Sequence, residues 1–409
     1  MKQHFIEQYR KFEANGASGS PGWLRSLRER AIARFDEVGF PSTRLEQWRF
    51  TNVQPIADTP FTLSAVRWDV ARVPNGGGAT VTTLGEAMQR WPDLVQAHLA
   101  RHAPVDANPF TALATAFLAD GIFVHVPAGA VIDEPIQLTC RIPSGDARPM
   151  THPRLLIVLE RNARAKLIEV YEGEAGGGVS LTNAVTEVVL ADGAHLDLCR
   201  EQRHGSQSYH TATTQSHQGR DSRFVFTAIA LGAALARHDI NAVLDGTGAF
   251  LILNGLSVLR ERQHVDHHTT IEHGQPHCES HEYFNGIYDG ESHGVFNGRI
   301  IVRHGAQRTD SKQTNNNLLL SETARADSQP QLEIYADDVK CTHGSTVGPL
   351  DPTALFYLRS RGLDAAAARG LLTYGFGAEI LDRITIPGVR ERLDRMIRDR
   401  LGVPELVAS

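Results

Sequence analysis

Cysteine is scarce in this chain. Four occur in 409 residues, at Cys140, Cys199, Cys278 and Cys341, separated by 59, 79 and 63 positions. There is no CxxC pair, which excludes a small disulfide framework, a zinc finger and the tight ligand run of a resident ferredoxin-type cluster. Free thiols are the expectation. A basic surplus is also missing: 41 Lys and Arg stand against 47 Asp and Glu, for a net charge of −6. That removes the electrostatic basis for holding nucleic acid. The longest apolar run, FVFTAIALGAALA from Phe224, falls short of the roughly 20 residues of a bilayer span, so no membrane is expected. The N-terminus, MKQHFIEQYRKFEANG, is charged throughout and has no secretory apolar core, which points to the cytoplasm. Nucleotide motifs are absent as well. There is no GxxxxGK[ST], GTGAFL at Gly246 has no third glycine for GxGxxG, and no GxSxG elbow occurs. ATP, if used at all, must be hydrolysed by another chain.

What is present falls into three textures. The first 120 residues read as a helical unit. In WLRSLRERAIARFDEVGFP the apolar residues Trp23, Leu24, Leu27, Ala31, Phe35 and Val38 follow a 3.6-residue repeat that Gly39 and Pro41 stop. RVPNGGGAT, from Arg72, reads as a flexible connection. Helical patterns resume in LGEAMQRW, in DLVQAHLARH and after Asn108–Pro109.

From residue 121 to about 350 short β-rich runs are punctuated by glycine, with no helix-length pattern to serve as a crossover. Asp-Gly pairs begin at Asp120, Asp192, Asp245 and Asp289, which are 72, 53 and 44 residues apart. Taken as whole turns, they suggest coils of roughly 22 to 26 residues and hence a parallel β-helix, with a β-sandwich as the alternative. Asn315, Asn316 and Asn317 are expected at a tight corner, because Asn tolerates left-handed backbone. Residues 351–409 return to helical period. In PGVRERLDRMIRDRL the set Val389, Leu393, Met396, Ile397 and Leu401 forms one apolar face, suited to packing on its own domain or to docking a partner.

Two stretches could carry chemistry. In LEIYADDVKCTHGSTVG, from Leu332, an extended VKCTH would send Val339, Cys341 and His343 to the same side. Thiolate and imidazole then face one metal ion, but a closed site needs about four ligands. The second stretch, HVDHHTTIEHGQPHCESH from His264, gathers six histidines and Cys278. It has neither HExxH nor zinc-finger spacing, so His273, His277 and Cys278 are weaker metal candidates beside the reading of surface histidines in strands and turns. The adjacent His267 and His268 should point to opposite faces of a strand.

The block GIYDGESHGVFNGRIIV, then AQRTDSKQTNNNLLLSETARADSQPQLEIYADDVKCTHGSTVG, then ALFYLRSRGL closely resembles the SufB/SufD family of the SUF iron-sulfur cluster assembly machinery. RLEQWRFTNV near Arg44 and DHHTTIEHGQPHCES near Asp266 extend the likeness over most of the chain. The short length and the CxHG signature favour the SufD type over a SufB-like paralogue. The resemblance implies a mainly β fold, a right-handed parallel β-helix core (121–350) flanked by helical domains (1–120 and 351–409). It implies a scaffold without catalysis that pairs with SufB through the β-helix. The SufC ATPase would dock on the C-terminal domain near Phe356, Tyr357, Arg361 and Gly362. His343, with Cys341 beside it, would hold a transient iron-sulfur cluster shared with SufB. The resemblance also admits a homodimer when the chain is alone and a reduced flavin in the complex. A β-helix enzyme acting on polysaccharide is the remote alternative, and it would favour a secreted chain.

Overall fold

The computed structural model describes residues 2–15, 20–72, 78–143, 147–173 and 177–403. The core of the connection expected from Arg72, residues 73–77, lies outside the described residues. Six strands precede the regular coils: β1 (Thr62–Leu63), β2 (Arg67–Arg72), β3 (Thr80–Thr83), β4 (Ile122–Val126), β5 (Ile136–Ile142) and β6 (Pro149–Thr151). The coils then run through β7 (Arg154–Leu159), β8 (Arg164–Gly173), β9 (Leu181–Leu190), β10 (His195–Arg203), β11 (Tyr209–Gln218), β12 (Arg223–Ala230) and β13 (Leu235–Leu244). They continue through β14 (Phe250–Leu259), β15 (His264–His273), β16 (Glu279–Tyr288), β17 (His293–Val302), β18 (Asp310–Leu319), β19 (Arg325–Ile334) and β20 (Lys340–Gly348).

From β7 onward, odd strands stack in one sheet and even strands in the other, and from β9 each is parallel to the strand two before it. This is a β-solenoid of about eight coils. The second strand of every coil does the work of the crossover that a parallel pair requires, which is why no helix is needed. The sandwich alternative falls on this parallel pairing, since sandwiches are antiparallel.

One coil advances the chain by 26 residues (Tyr209 to Leu235) to 32 (His293 to Arg325), longer than the 22 to 26 expected. The Asp-Gly pairs misled because they mark different corners. Asp192 and Asp245 follow β9 and β13 at the odd-to-even corner, whereas Asp289 follows β16 at the opposite one and Asp120 precedes β4. The true corner signal is one residue of left-handed backbone at each odd-to-even corner from β7 to β18: Asn162, Gly193, Asp221, Gly248, His277 and Arg308 all have φ between 53° and 75°. Each sends its N–H to a carbonyl of the next coil, as in Asn162 to Asp192 O (2.9 Å), Gly193 to Arg220 O (2.8 Å) and His277 to Gln307 O (2.9 Å). Asn315, Asn316 and Asn317 are not a corner. They lie within extended β18, where the Asn315 amide donates to Phe284 O (3.2 Å) and that of Asn317 to Asn315 Oδ1 (2.7 Å). Inside a coil, asparagine serves as a hydrogen-bonding side chain rather than as a turn former.

The N-terminal region contains α1 (Lys2–Asn15), α2 (Gly22–Val38), α3 (Gln54–Asp58), α4 (Leu84–Arg90), α5 (Pro92–His98) and α6 (Pro109–Ala116), of which α2, α4, α5 and α6 are those the periodicity predicts. It also contains β1 to β3, which the helical reading of this region did not include. β3 pairs antiparallel with β4 and β2 with β5, so the first coil of each sheet is covered. The RLEQWRFTNV motif is explained here. Arg237, buried on β13, donates to Gln47 O (2.8 Å), lies 3.7 Å from the Trp48 ring centre and pairs with Asp266 (2.6 Å), while the Thr51 hydroxyl donates to the same carboxylate (2.6 Å).

At the other terminus are α7 (Pro352–Ser360), α8 (Ala365–Leu381) and α9 (Val389–Leu401). Val389, Leu393 and Ile397 of α9, with Ile380 and Leu381 of α8, cover the outer face of the even sheet at Ile168, Val170, Cys199, Ile229, Leu256 and Val258. The apolar face of α9 therefore packs on its own chain.

Burial alone would raise the Asp266 carboxyl, but Arg237 and the Thr51 hydroxyl hold it below its ordinary range. The stability this gives is present above the unfolded carboxylate value, about 3.9, and is lost as pH falls through the lower folded value. Asp266→Asn, which leaves the buried Arg237 with one carboxylate fewer, should cost about 3 kcal/mol at neutral pH. It should also flatten the acid limb of a urea-midpoint-against-pH profile.

Candidate functional site

The two ends of the solenoid differ. The first end is covered by β2 and β3, whereas among the described residues the last coil is not: there β19 pairs only with β17 and β20 only with β18. The outer edges of both final strands therefore present unpaired backbone groups. Most of β20 is exposed, and Ile334, Tyr335 and Val347 add exposed apolar side chains on the same coil.

Cys341 and His343 stand on β20, in register with Ser311 and Gln313 of β18. Both of those β18 residues are fully buried and face the lumen, so the thiol and imidazole share the inward face, as the two-residue spacing predicts. Cys341 is half-buried and packs against the edge of the main core, and His343 is exposed. Burial, with the Asp310 carboxylate nearby, pushes the Cys341 thiol above its usual pKa.

The columns behind these residues change character along the axis. Under Cys341 the inward series is Leu196, Phe224 and Leu251, then Ser280 and Ser311. Under His343 it is Leu198, Phe226 and Leu253, then Glu282 and Gln313. In these two columns the inward residues are apolar through β14 and polar from β16 on. Ser311 Oγ lies 2.8 Å from Ser280 Oγ, which lies 2.8 Å from His273 Nε2. Burial raises the Glu282 carboxyl to about 7, against the opposing hydrogen bond from Gln313.

The other candidates do not converge. His273 is buried and bonded to Ser280, and His277 occupies a left-handed corner. The buried Cys278 thiol donates to Gly246 O (3.3 Å). Among the described residues no group of three or more His, Cys, Asp or Glu side chains is placed to hold a metal. Most of the cluster is not at the surface: His264, His267, His268 and His273 are buried or nearly so, while His277 is exposed and His281 half-buried. As expected from adjacency, His267 and His268 point opposite ways: His267 lies inward against Phe284 (ring centres 5.2 Å apart), and His268 lies outward near Arg237 and Asp239.

Sequence reasoning missed an internal imidazole stack. His204, His210, His238 and His267 follow one another at 4.8, 5.1 and 5.0 Å between ring centres, and burial lowers the pKa of all four. The available signal was the spacing of His210, His238 and His267, at 28 and 29 residues: the second is one full coil, and the first is two residues more than the 26 of its coil. On α7, Phe356 is 73 % and Tyr357 56 % exposed, and the helix buries none of its residues. Arg361 donates to the Tyr357 hydroxyl (3.2 Å), and Gly362, at φ +96°, follows the helix end. No helix among the described residues is long and apolar enough to cross a membrane.

Fold and site define a class: a helix-flanked β-solenoid that offers donor atoms at an open end without completing a metal site. Comparison with known proteins names it. Residues 141–376 match the SufBD core domain of the SUF system for iron-sulfur cluster assembly, and residues 1–76 and 69–138 match the SufBD N-terminal region. The chain belongs to the SufBD family of iron-sulfur cluster assembly proteins and is SufD-like. It is 32% identical to a SufBD family protein of Synechocystis sp., over 92% of this chain and 91% of that one. It is 29% identical to the iron-sulfur cluster assembly protein SufD of Escherichia coli, over 95% of each chain. To SufD of Bacillus subtilis it is 26% identical, over 93% of this chain and 94% of that one.

The thiols can be told apart by reactivity. In the native chain one equivalent, from half-buried Cys341, should react with an aromatic disulfide reagent, faster as pH rises toward its elevated pKa. Buried Cys140, Cys199 and Cys278 should react only after unfolding. Cys341→Ser should remove the early equivalent, and its persistence would contradict the exposure of this edge.

Proposed function

We propose that this chain is a SufD-type scaffold subunit that works in the cytoplasm without catalysing a reaction itself. The open end of its solenoid pairs with a SufB-type partner, and Cys341 and His343 serve there as ligands to a nascent iron-sulfur cluster. The supporting observation is the position of this pair. A sulfur and an imidazole donor lie side by side on the unpaired edge strand of the last coil, too few to close a site and placed where a second solenoid can reach them. Unpaired strand edges invite a partner's strands, and Ile334, Tyr335 and Val347 give such a junction apolar area to bury. Neutral imidazole and thiolate both suit iron.

The same reading assigns ATP hydrolysis to a SufC-type ATPase docked on α7. That helix carries Phe356 and Tyr357 outward and has no fully buried residue, so these two rings find little cover among the described residues. Aromatic residues in such positions are the usual anchors of a protein interface. Movement of the ATPase would reach the open end by a short path, because only Pro349 to Asp351 separate β20 from α7.

Co-expression with SufB and SufC tests both halves. His343→Ala should leave the three-subunit complex intact and abolish the cluster it carries, since an exposed side chain contributes little to folding. Full cluster loading in that variant would remove the ligand assignment. Phe356→Ala with Tyr357→Ala should reduce SufC capture at least tenfold while SufB capture persists. Undiminished SufC capture would reject α7 as the dock.

A further inference from the structure

The columns beneath Cys341 and His343 differ in what they leave unfinished. In the thiol's column the hydroxyls are committed, Ser311 to Ser280 and Ser280 to His273. In the imidazole's column the Gln313 amide nitrogen donates to a Glu282 carboxylate oxygen. The Gln313 carbonyl oxygen, fully buried, has no partner. The residue in register above Gln313, on the same inward face, is His343. Across the lumen Gly298 makes room for the amide, because a Cβ there would sit 2.3 Å from Gln313 Nε2. The amide is thus braced between a carboxylate below and a bare backbone opposite, with its free acceptor in the column that ends at His343.

An imidazole that binds a metal uses one ring nitrogen for the metal, and the other carries a proton that needs an acceptor. That acceptor fixes both the tautomer and the rotation of the ring. A Glu282 carboxyl oxygen accepts from the NH2 side of Gln313 and so turns the carbonyl away from itself. We propose that Gln313, oriented by Glu282, accepts the non-ligating N–H of His343 and thereby sets which ring nitrogen is offered to the metal. The inference rests on the reading of His343 as a ligand and deepens it. Gln313 and Glu282 act through His343 and are positioning residues.

The test uses the full chain labelled with ¹⁵N in the histidine rings, with the His343 signals identified by their loss in His343→Ala. Wild type should show one neutral tautomer at His343, and Gln313→Leu should show the two mixing. The exchanged pair Glu282→Gln with Gln313→Glu places a donor below and an acceptor above, and should restore the single tautomer. A merely structural contribution of Gln313 would not produce that rescue. If Gln313→Leu does not fold, Glu282→Gln alone frees the amide to turn over, and the same mixing is expected. In the co-expressed complex Gln313→Leu should weaken iron retention by about 10- to 100-fold. An unchanged tautomer in the foldable variants, in a background where His343→Ala abolishes the cluster, overturns this proposal alone. A cluster that survives His343→Ala overturns the ligand reading beneath it.

Discussion

A parallel coil can satisfy its backbone only by stacking on another coil, and every solenoid therefore has two ends that must be dealt with. In this protein the two are treated differently. The first is closed within the chain, where β2 and β3 turn back antiparallel on β5 and β4. The last is left as β19 and β20, each with a neighbour on one side only among the described residues. The edge is short of hydrogen-bond partners, and Pro330 within β19 takes one donor out of it. The donor pair sits on this edge.

Interior chemistry follows the same axis. Behind the donor pair the early coils stack Leu and Phe, which stabilise the solenoid there by excluding water. From β16 onward the even strands place Ser280, Glu282, Ser311 and Gln313 at the equivalent inward positions, and the series ends in Cys341 and His343. Buried polar groups are costly unless bonded, so such a change of texture is stable only where the groups satisfy one another or wait for a partner. Charges buried elsewhere are paired. Arg200 meets Glu169 at 2.8 Å, and Arg237 joins the N-terminal segment to the coils through Asp266.

The helical termini were legible from periodicity and caps. Asn108 accepts from Thr111 N (2.8 Å) and Asp364 from Ala367 N (2.7 Å), each at the start of its helix. The β-rich middle was legible as a solenoid because strand runs followed one another with nothing between them to act as a helical crossover. Coil length was not, since Asp-Gly pairs occur at both corners, while the corner that repeats uses Asn, Gly, Asp, His and Arg interchangeably in left-handed backbone. Backbone hydrogen bonds to the next coil stabilise that conformation, so the side chain carries little of the signal. Asn315 to Asn317 misled for the converse reason: three turn-forming residues were held extended by the ladder on either side.

At the site, alternation along a strand was enough to put Cys341 and His343 on one face, because that is a property of any extended segment. The helical periods, the free thiols and the want of a nucleotide loop were likewise local matters, readable one segment at a time. Which residues stand behind the pair is a matter of register between strands about 30 residues apart, as are the stacking of His210, His238 and His267 and the contact of Trp48 with Arg237. Only stacking decides these, since the position of one coil over the next depends on every corner between them.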